Sequence, residues 1–226
     1  LHPRVRRQRQ MCIRDSESVL TPFRNGEADI LIGTQMIVKG HDFPNVTLVA
    51  ALAADMSLYA GDYRSSERTF ELLMQASGRA GRAEKAGEVV IQTYNPEEYS
   101  IQAVARQDAE YFYENELAFR RLMKYPPYSQ MAAILILSEE ESEAKTLSEK
   151  LAENIHSLCG DAVTLIGPSK AGLSRAKDRY RYVLYVKSMN EEAMACVREI
   201  AEEANRRVAN QKTCSVQYDR DPVNGY

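Results

Sequence analysis

Apolar and polar positions run along this chain in blocks whose period changes several times, and each change predicts an element. Residues 17–25 set Val19, Leu20 and Phe23 at helical spacing, and Asn25-Gly26 stops the pattern. "ADILIGT" (28–34) and "VTLVAALAA" (46–54) are apolar on both faces, which predicts buried strands of a parallel sheet covered by helices. Over residues 65–77 the helical period returns, with Phe70, Leu73, Met74 and Ser77 inward. Ser65 or Ser66 is the expected N-cap, and Gly78 the end. "GEVVIQT" (87–93) predicts a third strand. One long helix is expected over 97–123, with Ile101, Val104, Ala105, Phe112, Leu117 and Leu122 inward.

"YPPY" (125–128) breaks that helix, because proline cannot continue one and restricts the residue before it. The domain boundary is placed there, between residues 16–124 and 125–226. Beyond it, strands are predicted over 131–138, 162–167, 180–188 and 214–222, with helices over 139–158 and 190–209. The order β-α-β-β-α-β is the ferredoxin-like arrangement, two helices on one face of a four-stranded antiparallel sheet. On the third of these strands Tyr180, Tyr182 and Leu184 point one way, and Arg181, Val183 and Tyr185 the other. The expected fold class is therefore α/β, a parallel sheet with helices followed by an α+β domain.

Composition narrows this picture. The chain has 226 residues, 44% of them hydrophobic, enough for one large or two small domains with real cores. Its net charge is −3, so any contact with a polyanion must come from a local patch. No apolar run approaches the ~20 residues that span a bilayer, so no membrane partner is expected. The four cysteines, Cys12, Cys159, Cys196 and Cys214, form no CxxC pair, so no metal site is expected and a cytoplasmic location fits. Residues 1–15 are basic and aperiodic. They read either as a nucleic-acid-binding arm or, as favoured here, as a non-native tail, and they are set aside from the fold.

Candidate chemistry lies in three segments. "GTQMIVKGHDF" (33–43) follows a predicted parallel strand, and in open α/β sheets ligands bind on loops at the carboxyl ends of strands. It offers the Thr34 hydroxyl, the Lys39 charge, close approach at Gly40 and the Asp42 acceptor. "QASGRAGR" (75–82) puts Gln75 on a helix and Arg79 and Arg82 just past its end, spaced to lean to one side. Guanidinium forks there suit phosphate oxygens; equally, they could serve the last carbonyls of the helix. "SKAGLSRAKDRYRYVLYVK" (169–187) carries Lys170, Arg175, Lys177, Arg179, Arg181 and Lys187 against Asp178, a local net of +5, with tyrosines interleaved. A basic loop with aromatic rings can track a phosphate backbone and stack a base; it also fits a solvated loop beside a strand whose tyrosines are core.

The first two segments, in this order and at this separation, resemble superfamily 2 helicases, whose second RecA-like lobe carries a T…GxD motif and then QxxGRxGR. The stretches "ADILIGTQMIVKGHDFPNVTLVAALAAD", "DYRSSERTFELLMQASGRAGR", "GEVVIQTYNP", "RRLMKYPPYSQMAA", "LIGPSKAGLSRAKDRYRYVLYVKS" and "VQYDRDPVN" together resemble the PriA family of primosomal helicases over roughly residues 17–226. The resemblance implies a truncated RecA-like second lobe and a DNA-binding C-terminal domain. It implies an ATP-dependent 3′→5′ DNA helicase that restarts stalled forks, with ATP and Mg2+ between two lobes. Carried over by motif, Arg82 is the arginine finger, Arg79 its partner on the γ-phosphate, and Gln75 orients the attacking water or relays the nucleotide state. Gly33, Thr34, Gln35, Lys39, Gly40 and Asp42 couple nucleotide to DNA. Lys170, Arg175, Lys177, Arg179, Arg181 and Tyr182 contact DNA. The implied partners are forked and single-stranded DNA, primosome proteins and single-strand-binding protein.

The chain also departs from that pattern. It contains no GxxxxGK[ST] loop, no DEXH acid and none of the paired cysteines that bind zinc in the family. It supplies half of an ATP site, and alone it is expected not to hydrolyse ATP. Two rival readings stay open, a RecG-like translocase and a nonenzymatic nucleic-acid-binding protein built on a helicase lobe.

Overall fold

A computed structural model describes residues 13–35, 43, 45–59, 61–81, 87–176, 178–209, 213–223 and 225, with backbone alone for 13–17. The chain divides into two compact units, residues 1–59 with 64–112, and residues 60–63 with 113–226.

In the first unit, α1 (Ile13–Arg24) ends at the expected Asn25-Gly26, where Gly26 has a φ of 73°. β1 (Leu48–Ala51) and β2 (Glu88–Ile91) form a two-stranded parallel sheet with Val49 opposite Val89. α2 (Ser65–Ser77) and α3 (Tyr99–Arg106) cover one face of it, with Phe70, Leu73, Ile101 and Val104 packed beneath Ala51 and Ile91. The other face is open, and Leu48 and Val90 are exposed on it, so the expected cover on both faces is not found among the described residues. The predicted strand over 28–34 is also absent. That segment is irregular, with Ile30 and Ile32 about two-thirds exposed. Apolar side chains make a strand only when a neighbouring strand takes their backbone groups, and among the described residues β1 pairs with β2 alone.

Three further expectations change. The N-cap of α2 is Arg64, which makes no side-chain cap bond, rather than Ser65 or Ser66. The long helix is two helices, α3 and α4 (Ala109–Met123), broken where Gln107 adopts a left-handed φ of 54° and the Asp108 carboxylate accepts from the Tyr111 N–H at 2.9 Å. An aspartate that caps the second helix offsets the strain of the break. Ala105, Leu117 and Leu122, expected inward, are exposed, whereas Ile101, Val104 and Phe112 are buried.

Asp55, just beyond β1, ties the two strands together. Its carboxylate accepts from the Thr93 hydroxyl and, at 2.8 Å, from the Tyr94 N–H beyond β2. The Thr93 bond first, and then the Tyr94 bond, hold its pKa below the ordinary 3.8. A carboxylate lowered in this way adds stability that is full above its unfolded pKa and is lost as pH falls through the lower folded value. In urea titrations of the first unit, the advantage of the native chain over Asp55→Asn is expected to be constant above about pH 5 and to shrink steadily toward pH 2.

In the second unit, β3 (Gln130–Ser138), α5 (Glu141–Cys159), β4 (Thr164–Ala176), β5 (Arg179–Ser188), α6 (Glu191–Val208) and β6 (Cys214–Arg220) follow the predicted order. The antiparallel sheet is ordered β4-β5-β3-β6, which is the ferredoxin-like arrangement. α5 and α6 pack on one face over Ile134, Ile136, Leu184 and Val216. Burying each such side chain stabilises the unit by about 1.5–3 kcal/mol. Asn190 caps α6 by accepting from the N–H groups of Glu192 and Ala193.

The correction that bears most on function concerns β4. It does not stop at residue 167 but continues to Ala176, so the expected basic loop is one arm of a β-hairpin. The pairing slips between Lys170↔Tyr182 and Arg175↔Tyr180, and the intervening residues bulge over the helix-free face. Ala171 buries there against Ala133, Leu135 and Val183. Gly167, within β4, has a φ of 99°, and a Cβ on it would lie 3.0 Å from the Val183 carbonyl oxygen, so a side chain there would be strained and tightly packed.

Candidate nucleotide and nucleic-acid sites

The end of α2 determines what "QASGRAGR" can do. Gln75 is exposed and Arg79 half-buried. The N–H groups of Gly78, Arg79 and Ala80 donate to the carbonyls of Met74, Ala76 and Ser77 at 3.0, 3.0 and 3.3 Å. Those carbonyls therefore already have main-chain donors, which weakens the reading that the arginines are present to serve them. Gly81, with a φ of 71°, then donates its N–H to the Val46 carbonyl at 3.1 Å and pins the segment beside the start of β1. A Cβ on Gly87 would lie 2.3 Å from the Gly81 nitrogen, so residue 87 approaches residues 80–81 too closely to carry a side chain. Arg82 lies outside the described residues.

Of the other proposed coupling residues, Gly33, Thr34 and Gln35 are exposed on irregular chain. Lys39, Gly40 and Asp42 lie outside the described residues. Gln75 and Arg79 are the members of the nucleotide set that the described residues place on a defined element and at its end.

In the second unit the basic residues are spread along the β4–β5 hairpin. Lys170 reaches back to α5, its Nζ 2.6 Å from Glu141 Oε1. Their bond raises the lysine pKa and lowers that of the carboxylate. Both partners are about half exposed, so the pair contributes little to stability and a phosphate can compete for it. Arg175 lies 3.5 Å from Asp178 and stacks 5.2 Å from the Tyr180 ring centre. Arg181 donates from Nη1 to the Leu173 carbonyl at 3.2 Å and braces the bulge. Arg179 is half-buried, and Lys177 lies outside the described residues. The alternation read from sequence holds: Tyr182 and Leu184 face the helices, while Val183 and Tyr185 face away. Tyr182 is consequently buried, its hydroxyl donating toward Glu141 at 3.4 Å.

Comparison with known proteins divides the chain in the same order. Residues 5–84 match the helicase conserved C-terminal domain, and residues 121–223 match the primosomal protein N C-terminal domain. The replication restart protein PriA of Bacillus subtilis (strain 168) is 46% identical over 206 residues, 91% of this chain and 26% of that protein. The chain belongs to the PriA family. The PriA of a Synechocystis strain is 42% identical over 75% of this chain and 20% of that protein, and the PriA of Chlamydia trachomatis 33% identical over 92% and 27%. The chain thus spans about a quarter of the length of the curated PriA proteins it matches.

Within this PriA-family chain, sequence reasoning missed Asp55, whose one signal was an acid directly after an apolar strand. Lys187 was counted with the basic segment 169–187, but its burial was not read, although it continues the outward set of Val183 and Tyr185 on the sheet. Among the described residues no group of three or more histidine, cysteine, aspartate or glutamate side chains is arranged to hold a metal ion, and no helix is long and apolar enough to cross a membrane.

Proposed function

We propose that this chain supplies the C-terminal helicase and DNA-binding regions of an ATP-dependent 3′→5′ DNA helicase that restarts stalled replication forks by primosome assembly in the bacterial cytoplasm. The observation that carries the reading is the succession, in one chain, of a helicase C-terminal segment and a primosomal C-terminal domain. Among the described residues the end of α2 suits an anionic phosphate chain, with the exposed Gln75 amide and then the half-buried Arg79, just past helix carbonyls that already have main-chain donors. Bound ATP with Mg2+ would supply the phosphoryl group to be transferred. Gln75, Arg79 and Arg82 would orient it and stabilise its charge, and residues 33–42 would couple that state to DNA.

The β4–β5 hairpin supports the DNA part of the proposal. Antiparallel pairing holds Lys170 and Arg175 on β4 and Arg179 and Arg181 on β5 rather than on an unpaired loop, which lowers the ordering cost of contacting a backbone. Its exposed ion pairs are weak enough to exchange for phosphate. Forked and single-stranded DNA are the proposed nucleic-acid partners, with primosome proteins and single-strand-binding protein as protein partners. A RecG-like translocase is disfavoured by the primosomal match over residues 121–223.

Fluorescence anisotropy with forked and single-stranded oligonucleotides tests this. The chain is expected to bind weakly, with affinity falling steeply with salt. Converting Arg175, Lys177 and Arg179 together to glutamine should flatten the slope of log affinity against log salt by about 2 on single strands, since each contacted phosphate contributes ~0.7. An unchanged slope would remove the hairpin from the interface.

A further inference from the structure

A second cationic feature lies away from the hairpin tip, entirely within the second unit. Lys124, Ser129, Asp161, Thr164, Lys187, Ser188 and Asn190 line a cavity of about 260 Å3 where β5 leaves the sheet. Its floor is Lys187, a lysine that is 8% exposed. The Nζ of Lys187 donates to the Met123 carbonyl at 2.9 Å and sits 4.1 Å from the Tyr125 ring centre. Among the described residues no carboxylate pairs with Lys187 or with Lys124. An ammonium carries three donors, and the carbonyl accounts for one of them.

Buried lysines are rare without an anionic partner, because desolvation costs the charged form heavily. Here the environment adds to the cost. Burial, and then the neighbouring charge of Lys124, push the Lys187 pKa below its ordinary value. Two like charges are thus held near each other at one cavity. Lys124 is held there against backbone preference, with a left-handed φ of 52°, and the Ser129 hydroxyl donates to its carbonyl at 2.6 Å. A non-glycine residue kept in that region by surrounding bonds is a recurrent property of ligand sites. The first turn of α6 adds little, because Asn190 already takes its N–H groups. Asp161 is the carboxylate lining the cavity, one negative charge against two positive.

We propose that this cavity is a phosphate-binding pocket, in which Lys124 and Lys187 together hold one phosphate group. A buried ammonium and an exposed one at the same cavity, without a paired carboxylate among the described residues, suit a ligand of opposite charge. The Thr164 hydroxyl and the Asn190 side-chain NH2 furnish donors that suit oxygen rather than an apolar group, while the Ser188 hydroxyl already donates to the Ala162 carbonyl at 2.6 Å. The nucleic-acid reading above bears only on where that phosphate comes from, a DNA strand or a free ion.

The test is an NMR titration of the full chain, following the amides of Thr164, Ser188, Met189 and Asn190. Three probes are used: inorganic phosphate, a 5′-hydroxyl oligothymidylate that offers internal phosphodiesters only, and the same oligonucleotide with a 5′-phosphate. Saturable shifts at these amides are expected with at least one probe. Lys124→Gln, at an exposed position, should weaken that binding roughly tenfold, the effect of losing one charge-assisted contact, and Asp161→Asn should strengthen it. Lys187→Met, which keeps the buried stem, should abolish it, with the dispersed spectrum showing that the unit stays folded. No saturable shift with any probe, or equal affinity in Lys124→Gln, overturns the proposal. DNA binding in the anisotropy assay without shifts here would sink the pocket and leave the DNA reading standing. Shifts with inorganic phosphate in a chain that binds no DNA would keep the pocket and sink that reading.

Discussion

Replacing Arg82 by alanine in a full-length protein that carries this segment is expected to cut DNA-stimulated ATP turnover by about 10³-fold or more, while DNA affinity changes little. The magnitude is that of an arginine finger, which stabilises charge only as the phosphoryl group transfers. Such a contact lowers the barrier without adding to ground-state binding, so kcat should fall and the DNA dissociation constant should not. Arg79→Ala and Gln75→Ala serve as companions. Turnover measured with saturating DNA, beside anisotropy on the same preparations, separates the outcomes. Unchanged turnover in Arg82→Ala would remove the finger role, and a parallel loss of DNA affinity would move the residue to the DNA side.

Phe112→Ala is expected to destabilise the first unit by about 3–5 kcal/mol, the range for emptying a buried aromatic site. Phe112 is fully buried and stacks on Phe70 with ring centres 4.2 Å apart, and Tyr99 lies 5.9 Å away. The loss combines the transferred area, the aromatic contacts and the cavity that remains. Leu122→Ala, ten positions further along α4, should change stability by no more than about 0.5 kcal/mol, because Leu122 is 79% exposed. Urea titrations followed by circular dichroism provide the comparison. If the phenylalanine loss exceeds the stability of the first unit, its NMR dispersion should collapse while that of the second unit survives. Equal effects at the two positions would contradict the packing described here.

These two positions also show where sequence reading stopped. Both fit one helical stripe over 97–123, and nothing local separates them. The same stripe also hid a break upstream of both, the left-handed turn at Gln107, at which no glycine or proline stands to warn of it. The cue was Asp108, an aspartate followed by an acidic first turn, which makes a helix start rather than a helix interior. The basic segment after residue 167 failed differently. Its glycine, serines and charges read as a loop, yet it pairs with β5 because the bulge lets Ala171 bury on Ala133 and Leu135 while the cations stay outside. Propensity lost there to a tertiary contact.

The candidate sites were legible in unequal measure. The GRxGR segment stood out by its glycines and arginine spacing, its nucleotide role came from the family resemblance, and Gly78 caps α2 as expected. The hairpin cations were found as a charge cluster, although their pairing with Glu141 and Asp178 was not. The Lys124–Lys187 cavity was invisible, since its two lysines stand 63 residues apart and meet only through the fold.

What the sequence determined by itself was therefore local or cumulative: the elements whose period matches their backbone, the β-α-β-β-α-β order, and membership of the PriA family through several motifs in a fixed succession. The tertiary structure alone decided which apolar runs become strands, which face of each helix is covered, and which charges meet. Backbone periodicity is written within a few residues. Strand pairing, burial and charge contact depend on partners that no local window contains.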